Sequence, residues 1–405
     1  MILVCEPVCW GGEHAPFNAG MLEIIRKGFP NEGVSFSGER THIEGLQKQL
    51  GESTSSSIEW QPISIPERKA GYTKRFILEV RILLNLLRTL EQNPYRNLVF
   101  TSITPSALAA LKVLRGIGGV MPNDLYIQAV LHSNVSCLNK RRPRHPIRRV
   151  QDMRTALTIF GRSNIQYLAL EKGIRDAILE STPFLAGKVE VLEAPIPPNE
   201  RESVAIELSQ PIRFGFLGLA NEQKGFSIFV KLATQVSRIY RNQAEFHAIG
   251  MFPNGKAPVK ELDALAIKPC FERLSRKDFV ERVKQLHFAI FPHRMEQYEL
   301  TASGVLMDAI AWGKPIIARR IPIFHDLFNK YGEIGYLFDN DSELADITEG
   351  IIVEFNQIRY NSQKLNILKA RSARMPGALA RTYREISERA MRQRENGKIK
   401  MMSTT

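Results

Sequence analysis

Along almost the whole of this chain, short apolar runs that end in glycine, proline or a polar residue alternate with stretches whose apolar residues recur at helical spacing. In the first half MILVCEP, GVSFSGE, IEWQPISI, NLVFTSI, LYIQAVLH, ALTIFGR and VEVLEAPIP read as strands. MLEIIRKGF, His42–Leu50, Phe76–Leu90 and SALAALKVLRGI read as helices, with a further helix between ALTIFGR and VEVLEAPIP, and GGEHAPFNAG and GESTSSS read as loops. The rhythm stops once, at the proline-rich APIPPNERES (Ala194–Ser203), which suits an interdomain linker. It restarts with IRFGFLGLA at Ile212 and runs through helix Phe226–Arg241, strand AEFHAIGMF, helix Lys277–Gln285, strand LHFAIFP, helix Gly304–Trp312, strand PIIA and a short strand at Gly335–Phe338. A helix from about Ser342 and two basic helices close the chain. Strands separated by helices reach one another by crossovers, so each half builds a parallel, doubly wound sheet. The expected fold class is α/β, with two Rossmann-like domains facing across a cleft. Their expected bounds are residues 1–200 and 201–375, with a basic C-terminal helix and frayed tail over 376–405.

With 405 residues, 44% of them hydrophobic and 24% charged, the chain has the composition of a folded globular protein of two to three domains. Its most apolar window, Phe76–Leu90, holds Glu79, Arg81 and Arg88 and falls short of a membrane span. The N-terminus reads straight into a strand with no basic leader, so the expected location is cytoplasmic. Cys5, Cys9, Cys137 and Cys270 lack a metal-site spacing and read as reduced thiols. The formal net charge of +13 concentrates in KRRPRHPIRRV (Lys140–Val150) and in Lys369–Lys400. Such clusters fit an anionic lipid surface, nucleic acid, or a plainly solvated face. No aromatic interleaving or nucleic-acid module accompanies them, which leaves nucleic acid resting on charge alone.

Two segments carry chemistry. In YELTASGVLMDAIAWGKPIIA (Tyr298–Ala318) a Ser-Gly pair opens a helix whose first N–H groups lie at the positive end of the helix dipole, a natural phosphate site. Gly304 lets backbone amides come close to a diphosphate, and Asp308, one turn on, suits sugar hydroxyls. The plainer alternative is a strand-loop-helix corner with a serine cap. In FLGLANEQKGF (Phe216–Phe226) a strand ends in glycine, and Lys224-Gly225 opens the next helix, where a lysine neutralises phosphate as a point charge.

With both segments present in this order, the chain resembles the retaining, nucleotide-sugar-dependent glycosyltransferases of family 4 (glycosyl transferases group 1), which have the GT-B fold. In that family a strand followed by G-R-x-x-x-x-K-G opens the second domain. A later E-x7-E followed by A-x-x-G-x-P-V-I-A completes the donor site. The resemblance implies that Gly218, Lys224 and the Ser303, Gly304 and Val305 amides hold the donor diphosphate, and that Asp308 binds ribose hydroxyls. Two positions depart from the pattern: Leu219 stands where the family has arginine, and Leu300 where it has the first glutamate. Glu299, one residue away, is the candidate for the missing acid, with Glu296 four away. In the first half, GGEH (Gly11–His14) resembles the family's glycine loop, which makes Gly12 a donor-side and His14 an acceptor-side candidate. His132, ending LYIQAVLH, is similar to a cleft histidine near the donor sugar and is a catalytic candidate, and His42 is a second acceptor-side candidate. The implied activity moves a sugar, with retention, from a nucleoside diphosphate sugar to a glycan or lipid-linked acceptor, in surface polysaccharide or glycoconjugate synthesis. It implies no cofactor and no metal. The alternative is a catalytically weak or inactive protein of the same fold that binds a nucleotide or glycan. DND (Asp339–Asp341) reads as a helix cap rather than a metal motif, and no Walker lysine motif, G-x-S-x-G elbow or HExxH helix occurs.

Overall fold

The computed structural model describes all residues except 68–69, 93–94, 118–120, 122–123, 133–134, 136–137, 139–142, 160–163, 199–205, 254–261, 295–302 and 403–405. The chain divides into two compact units. One consists of Met1–Asn199 with Arg374–Thr405, the other of Glu200–Glu299 with Ser303–Ala373.

The first unit holds seven parallel strands: β1 (Ile2–Glu6), β2 (Val34–Gly38), β3 (Ile58–Pro62), β4 (Asn97–Phe100), β5 (Tyr126–Leu131), β6 (Ile165–Ala169) and β7 (Val189–Val191). Their order in the sheet is β3-β2-β1-β4-β5-β6-β7. β1, β2, β5 and β6 are buried along their whole length, as strands covered by helices on both faces must be, which is why they read as apolar runs rather than alternating ones. The second unit holds β8 (Ile212–Leu219), β9 (Ala244–Met251), β10 (Phe288–Phe291), β11 (Ile316–Arg319) and β12 (Gly335–Phe338), all parallel in the order β12-β11-β10-β8-β9. Its core is rich in phenylalanine. Phe214 on β8 stacks against Phe246 and Phe288 on the flanking strands, with ring centroids 5.4 and 5.8 Å apart.

The structure corrects four local expectations. ALTIFGR is not a strand where it is described. Asp152 accepts bonds from the backbone N and Oγ1 of Thr155 and starts a short helix, Met153–Thr158, and the strand is formed downstream by IQYLA (β6). Within GESTSSS, Glu52–Ser55 form a helical turn tied down by the Thr54 hydroxyl, which donates to Glu23 at 2.7 Å. Pro322–Tyr331 is an additional helix between β11 and β12. The last helix, Pro376–Met402, is no separate tail. It packs against helix Ala15–Gly28 of the first unit and buries Leu379, Tyr383 and Ile386, and the Tyr383 hydroxyl donates to Gln128 Oε1 at 2.6 Å. Just before it, the fully buried Arg374 guanidinium makes a two-pronged pair with Glu171 at 2.9 and 3.0 Å.

Among the described residues, no helix is long and apolar enough to cross a membrane. Cys5, Cys9 and Cys270 are free thiols, and Cys137 lies outside the described residues.

Candidate functional site

In the second sheet β8 is flanked by β9 on one side and β10 on the other, so the connections after β8 and β10 diverge and leave a crevice at their carboxyl ends. Both chemical segments of the sequence arrive there. β8 ends at Gly218 with φ +92°, and a Cβ added to it would lie 2.7 Å from Lys224 Nζ and 2.9 Å from Val305 Cγ1. Only a glycine leaves room at this point for the lysine head and the start of the Gly304–Ala311 helix to meet. The Lys224 backbone is fixed by Asn221, whose Oδ1 accepts its N–H at 3.0 Å. Gly225 follows in the left-handed region at φ +72°, with its Cα so close to the Pro292 carbonyl that a Cβ would stand 1.9 Å from that oxygen. The Lys-Gly pair is therefore seated on the end of β10.

The electrostatics of this corner follow from burial. Desolvation pushes the Lys224 ammonium down to about 8, with the Asp308 carboxylate pulling the other way. Asp308 is buried and paired with Arg276, whose Nη2 stands 2.7 Å from its Oδ1. His293, two residues beyond β10, is held neutral at about 3 by burial and then by the charge of Lys224. Its ring lies against Phe291 and Phe324. Ser303 precedes the Gly304–Ala311 helix and is 7% exposed, and its hydroxyl has no hydrogen-bond partner among the described residues. Gly304 is exposed, and a Cβ added to it would meet nothing within 4 Å among the described residues. Among the described residues the Asp308 carboxylate thus lies beside two cations, Arg276 and Lys224, on the helix that Ser303 and Gly304 open, and the first N–H groups of that helix suit an anion.

The structure therefore brings Gly218, Lys224, Val305 and Asp308 together, with Ser303 and Gly304 on the same helix entrance. Leu219 ends β8 with 41% of its surface exposed and offers no charge. Glu299, Glu296 and Leu300 lie outside the described residues. Arg276 and His293 belong to this corner and were not singled out in the sequence. His293 stands at a strand's carboxyl end, the same signal that selects His132. Arg276 carries no such mark, because its pairing with Asp308 joins segments remote in the chain.

The first unit has a corresponding corner at the carboxyl ends of β1 and β4, where its strand order also reverses. The fully buried Glu6 carboxylate accepts from Val8 N, Cys9 N, Asn18 Nδ2, Thr101 Oγ1 and Ser102 Oγ, which fastens the loop after β1 to the end of β4. On that loop Gly12 and His14 are exposed, and His14 caps helix Ala15–Gly28 in the left-handed region. The imidazoles of His14 and His132 stack with centroids 4.2 Å apart. Burial, and then the neighbouring His14, hold His132 well below the usual imidazole range. His42 is a correction. It is fully buried, with Nδ1 2.7 Å from the Gly11 carbonyl and Nε2 2.9 Å from Asn18 Nδ2, so it braces the glycine loop from within and has no free nitrogen for an acceptor. Cys9 Sγ lies 3.3 Å from His14 Nδ1, and burial pushes its thiol far up.

Among the described residues no group of three His, Cys, Asp or Glu is placed to hold a metal ion. In the DND segment Asn340 caps a helix through Glu343 N, while Asp339 and Asp341 pair with Arg320 and Arg319.

Residues 211–353, most of the second unit, match the family model of glycosyl transferases group 1. No curated protein matches the chain. Among solved structures the chain is similar to Anabaena HepE in complex with UDP and glucose, at 14% identity over 94% of this chain and 97% of that one, with a TM-score of 0.64. It is similar to WaaG, a glycosyltransferase involved in lipopolysaccharide biosynthesis, at 11% identity over 95% and 99% of the two chains, with a TM-score of 0.64. Sucrose-phosphate synthase from Thermosynechococcus elongatus gives 12% identity over 100% of both chains and a TM-score of 0.62. At such identities the likeness is one of fold, and the fold is the two-domain, Rossmann-like GT-B fold.

Proposed function

We propose that this protein is a retaining glycosyltransferase that moves a sugar from a nucleoside diphosphate sugar to a glycan or lipid-linked acceptor in surface polysaccharide or glycoconjugate synthesis. The observation that carries the reading is the meeting of Lys224 Nζ with Gly218 and Val305 beside Asp308, at a helix entrance where Gly304 is exposed and the Ser303 hydroxyl has no partner among the described residues. The match to glycosyl transferases group 1 over the same residues, and neighbours solved with UDP and with UDP-glucose, support it.

In this reading Lys224 and the Gly304 and Val305 amides stabilise the departing diphosphate, which is preorganised electrostatics at the atoms where charge develops. Asp308 accepts the ribose hydroxyls. The leaving phosphate oxygen takes the acceptor proton on the face it departs from, which preserves the anomeric configuration. His132 and Glu299 are the remaining catalytic candidates, and His14 and Gly12 serve the substrate side of the first unit. The work takes place in the cytoplasm at an anionic membrane surface, a reading supported by an exposed apolar and basic face on helix Tyr72–Gln92. The exposed Leu219, where a second charge on the diphosphate is expected, favours one alternative, a protein that binds a nucleotide without transferring sugar.

A panel of UDP-, GDP- and ADP-sugars separates the two readings, because slow hydrolysis or transfer marks an enzyme and binding without turnover marks the alternative. Lys224→Ala is expected to lower turnover about 100-fold, the order of effect of removing a transition-state donor. Unchanged turnover in that variant removes Lys224 from the site.

A further inference from the structure

Helix Arg40–Leu50 ends at Gly51, whose φ of +72° turns the chain into the helical turn Glu52–Ser55 before it enters β3, the edge strand of the first sheet. Between that helix, the turn and one face of β3 lies an open pocket of about 750 Å³, within the ~300–1,000 Å³ that small-molecule sites occupy. Its floor is apolar, because Ile58 and Trp60 stand two apart on β3 and share a face. Its walls are polar. Glu44, Gln47 and Lys48 fall at i, i+3 and i+4 of the helix and share a face, and Glu52 and Ser56 line the pocket from the turn and just past it. Among the described residues the side chains of Glu44, Gln47, Lys48 and Glu52 make no hydrogen bond or ion pair. The indole of Trp60, by contrast, is fixed from two sides. Its Nε1 donates to the Ser55 carbonyl at 3.0 Å, and the Phe36 ring meets it edge-on with centroids 5.7 Å apart. Trp60 is half-buried, so part of the ring remains on the pocket surface.

We propose that this pocket is a glycan-binding site, separate from the donor corner of the second unit. A pyranose ring carries C–H groups on its faces and hydroxyls around its rim, and each hydroxyl both donates and accepts. An aromatic face beside carboxylate, amide and hydroxyl side chains meets both demands. A ring already locked in place loses little freedom when the sugar binds. Strand register sets Trp60 level with Phe36 and Phe36 level with Val4, so the pocket lies about 10 Å, two strand spacings, to the side of β1. Phe36 also lies against His42, the brace of the glycine loop, so the pocket and that loop share one packed wall. Its use as a hold on the acceptor chain, away from the reacting end, rests on the reading of the protein as a glycosyltransferase; glycan binding itself does not.

The test is calorimetric titration of maltohexaose, laminarihexaose and chitohexaose into the full chain and its Trp60→Ala, Trp60→Phe and Gln47→Ala variants. At least one hexasaccharide is expected to bind the unmodified chain. Trp60→Ala is expected to weaken it at least tenfold, Trp60→Phe by less because a ring remains, and Gln47→Ala about threefold or more. Thermal unfolding of Gln47→Ala is expected to match the parent, so its loss of affinity does not come from loss of fold. Affinity for UDP, GDP and ADP is expected to stay unchanged in all three variants. Binding of none of the hexasaccharides, or undiminished binding in both Trp60→Ala and Gln47→Ala, overturns the proposal. A diphosphate affinity that falls in step with glycan affinity overturns it too. Turnover of nucleotide sugars is measured separately: glycan binding without turnover removes the acceptor role and keeps the site, and turnover without glycan binding removes the site alone.

Discussion

Lys224 shows how one side chain concentrates the demands of this corner. Its side chain is half-buried and lies against Gly218 near Val305, and among the described residues the carboxylate that acts on it, Asp308, is already paired with Arg276. Burial costs the charged form, which is why the group sits at about 8 rather than in the usual lysine range. An anion bound there favours the protonated form, so binding and protonation are linked. Below about pH 8 the ammonium is present and diphosphate affinity is flat. Above it the free protein loses the proton, and affinity falls by up to about tenfold per pH unit. Titration of the bound nucleoside diphosphate between pH 7.5 and 9.5 is expected to show this fall. Lys224→Arg, whose charge does not titrate in that range, is expected to abolish it. A pH-independent affinity in the unmodified protein would remove Lys224 from contact with the phosphates.

At the scale of single elements, helix Tyr72–Gln92 is the clearest case of a face without a partner among the described residues. Ile82, Leu83, Leu86, Leu87 and Leu90 are buried inward, while Tyr72, Phe76, Ile77 and Leu84 remain exposed together with Lys74, Arg81 and Arg88. Glu79, the acid in the middle of the helix, is turned inward and accepts from Thr104 and Ser106 at 2.9 and 2.5 Å. The outer face is left apolar and basic, the pattern of a helix that lies in a lipid headgroup layer. In the proposed function this face meets an anionic membrane. Sedimentation with phosphatidylglycerol vesicles at low salt is expected to carry the protein down. Phosphatidylcholine vesicles or the Phe76→Glu/Ile77→Glu double variant should leave it in solution. Equal recovery with both lipids, or none with either, would end the membrane assignment. The second basic run is only partly in view, because 139–142 lie outside the described residues; Arg148 and Arg149 are exposed on the short helix Pro146–Val150.

At the scale of the whole molecule, the chain leaves its first unit near the proline-rich segment, completes the second, and returns at Arg374 to close the first. The return is anchored by a fully buried guanidinium that pairs with Glu171 and also donates to the Ala194 carbonyl. Removing the guanidinium leaves the buried Glu171 carboxylate without its two-pronged partner. Arg374→Ala is therefore expected to cost about 3–5 kcal/mol in urea or thermal unfolding. A loss below about 1 kcal/mol would show that Glu171 finds water or another partner.

How much of this was legible in the chain differs by kind. Eleven of the twelve strands among the described residues and most of the crossover helices follow from local periodicity, because a strand buried on both faces needs an unbroken apolar run, and most such runs are visible residue by residue. ALTIFGR failed for a local reason, since its apolar residues suit a helix as well as a strand and Asp152 decided the matter. The Lys224-Gly225 and Ser303-Gly304 pairs were legible because a helix entrance leaves its N–H groups open wherever it occurs. The sequence by itself determined two parallel α/β units and the positions of their helix entrances. Only the tertiary structure decided that Arg276 shares Asp308 with Lys224, that His42 is a brace rather than a ligand residue, and that the basic C-terminal helix belongs to the first unit. The physical reason is the same in all three. Periodicity and helix-end chemistry act between neighbours in the chain, whereas burial and charge pairing depend on which distant segments the fold brings within a few ångströms.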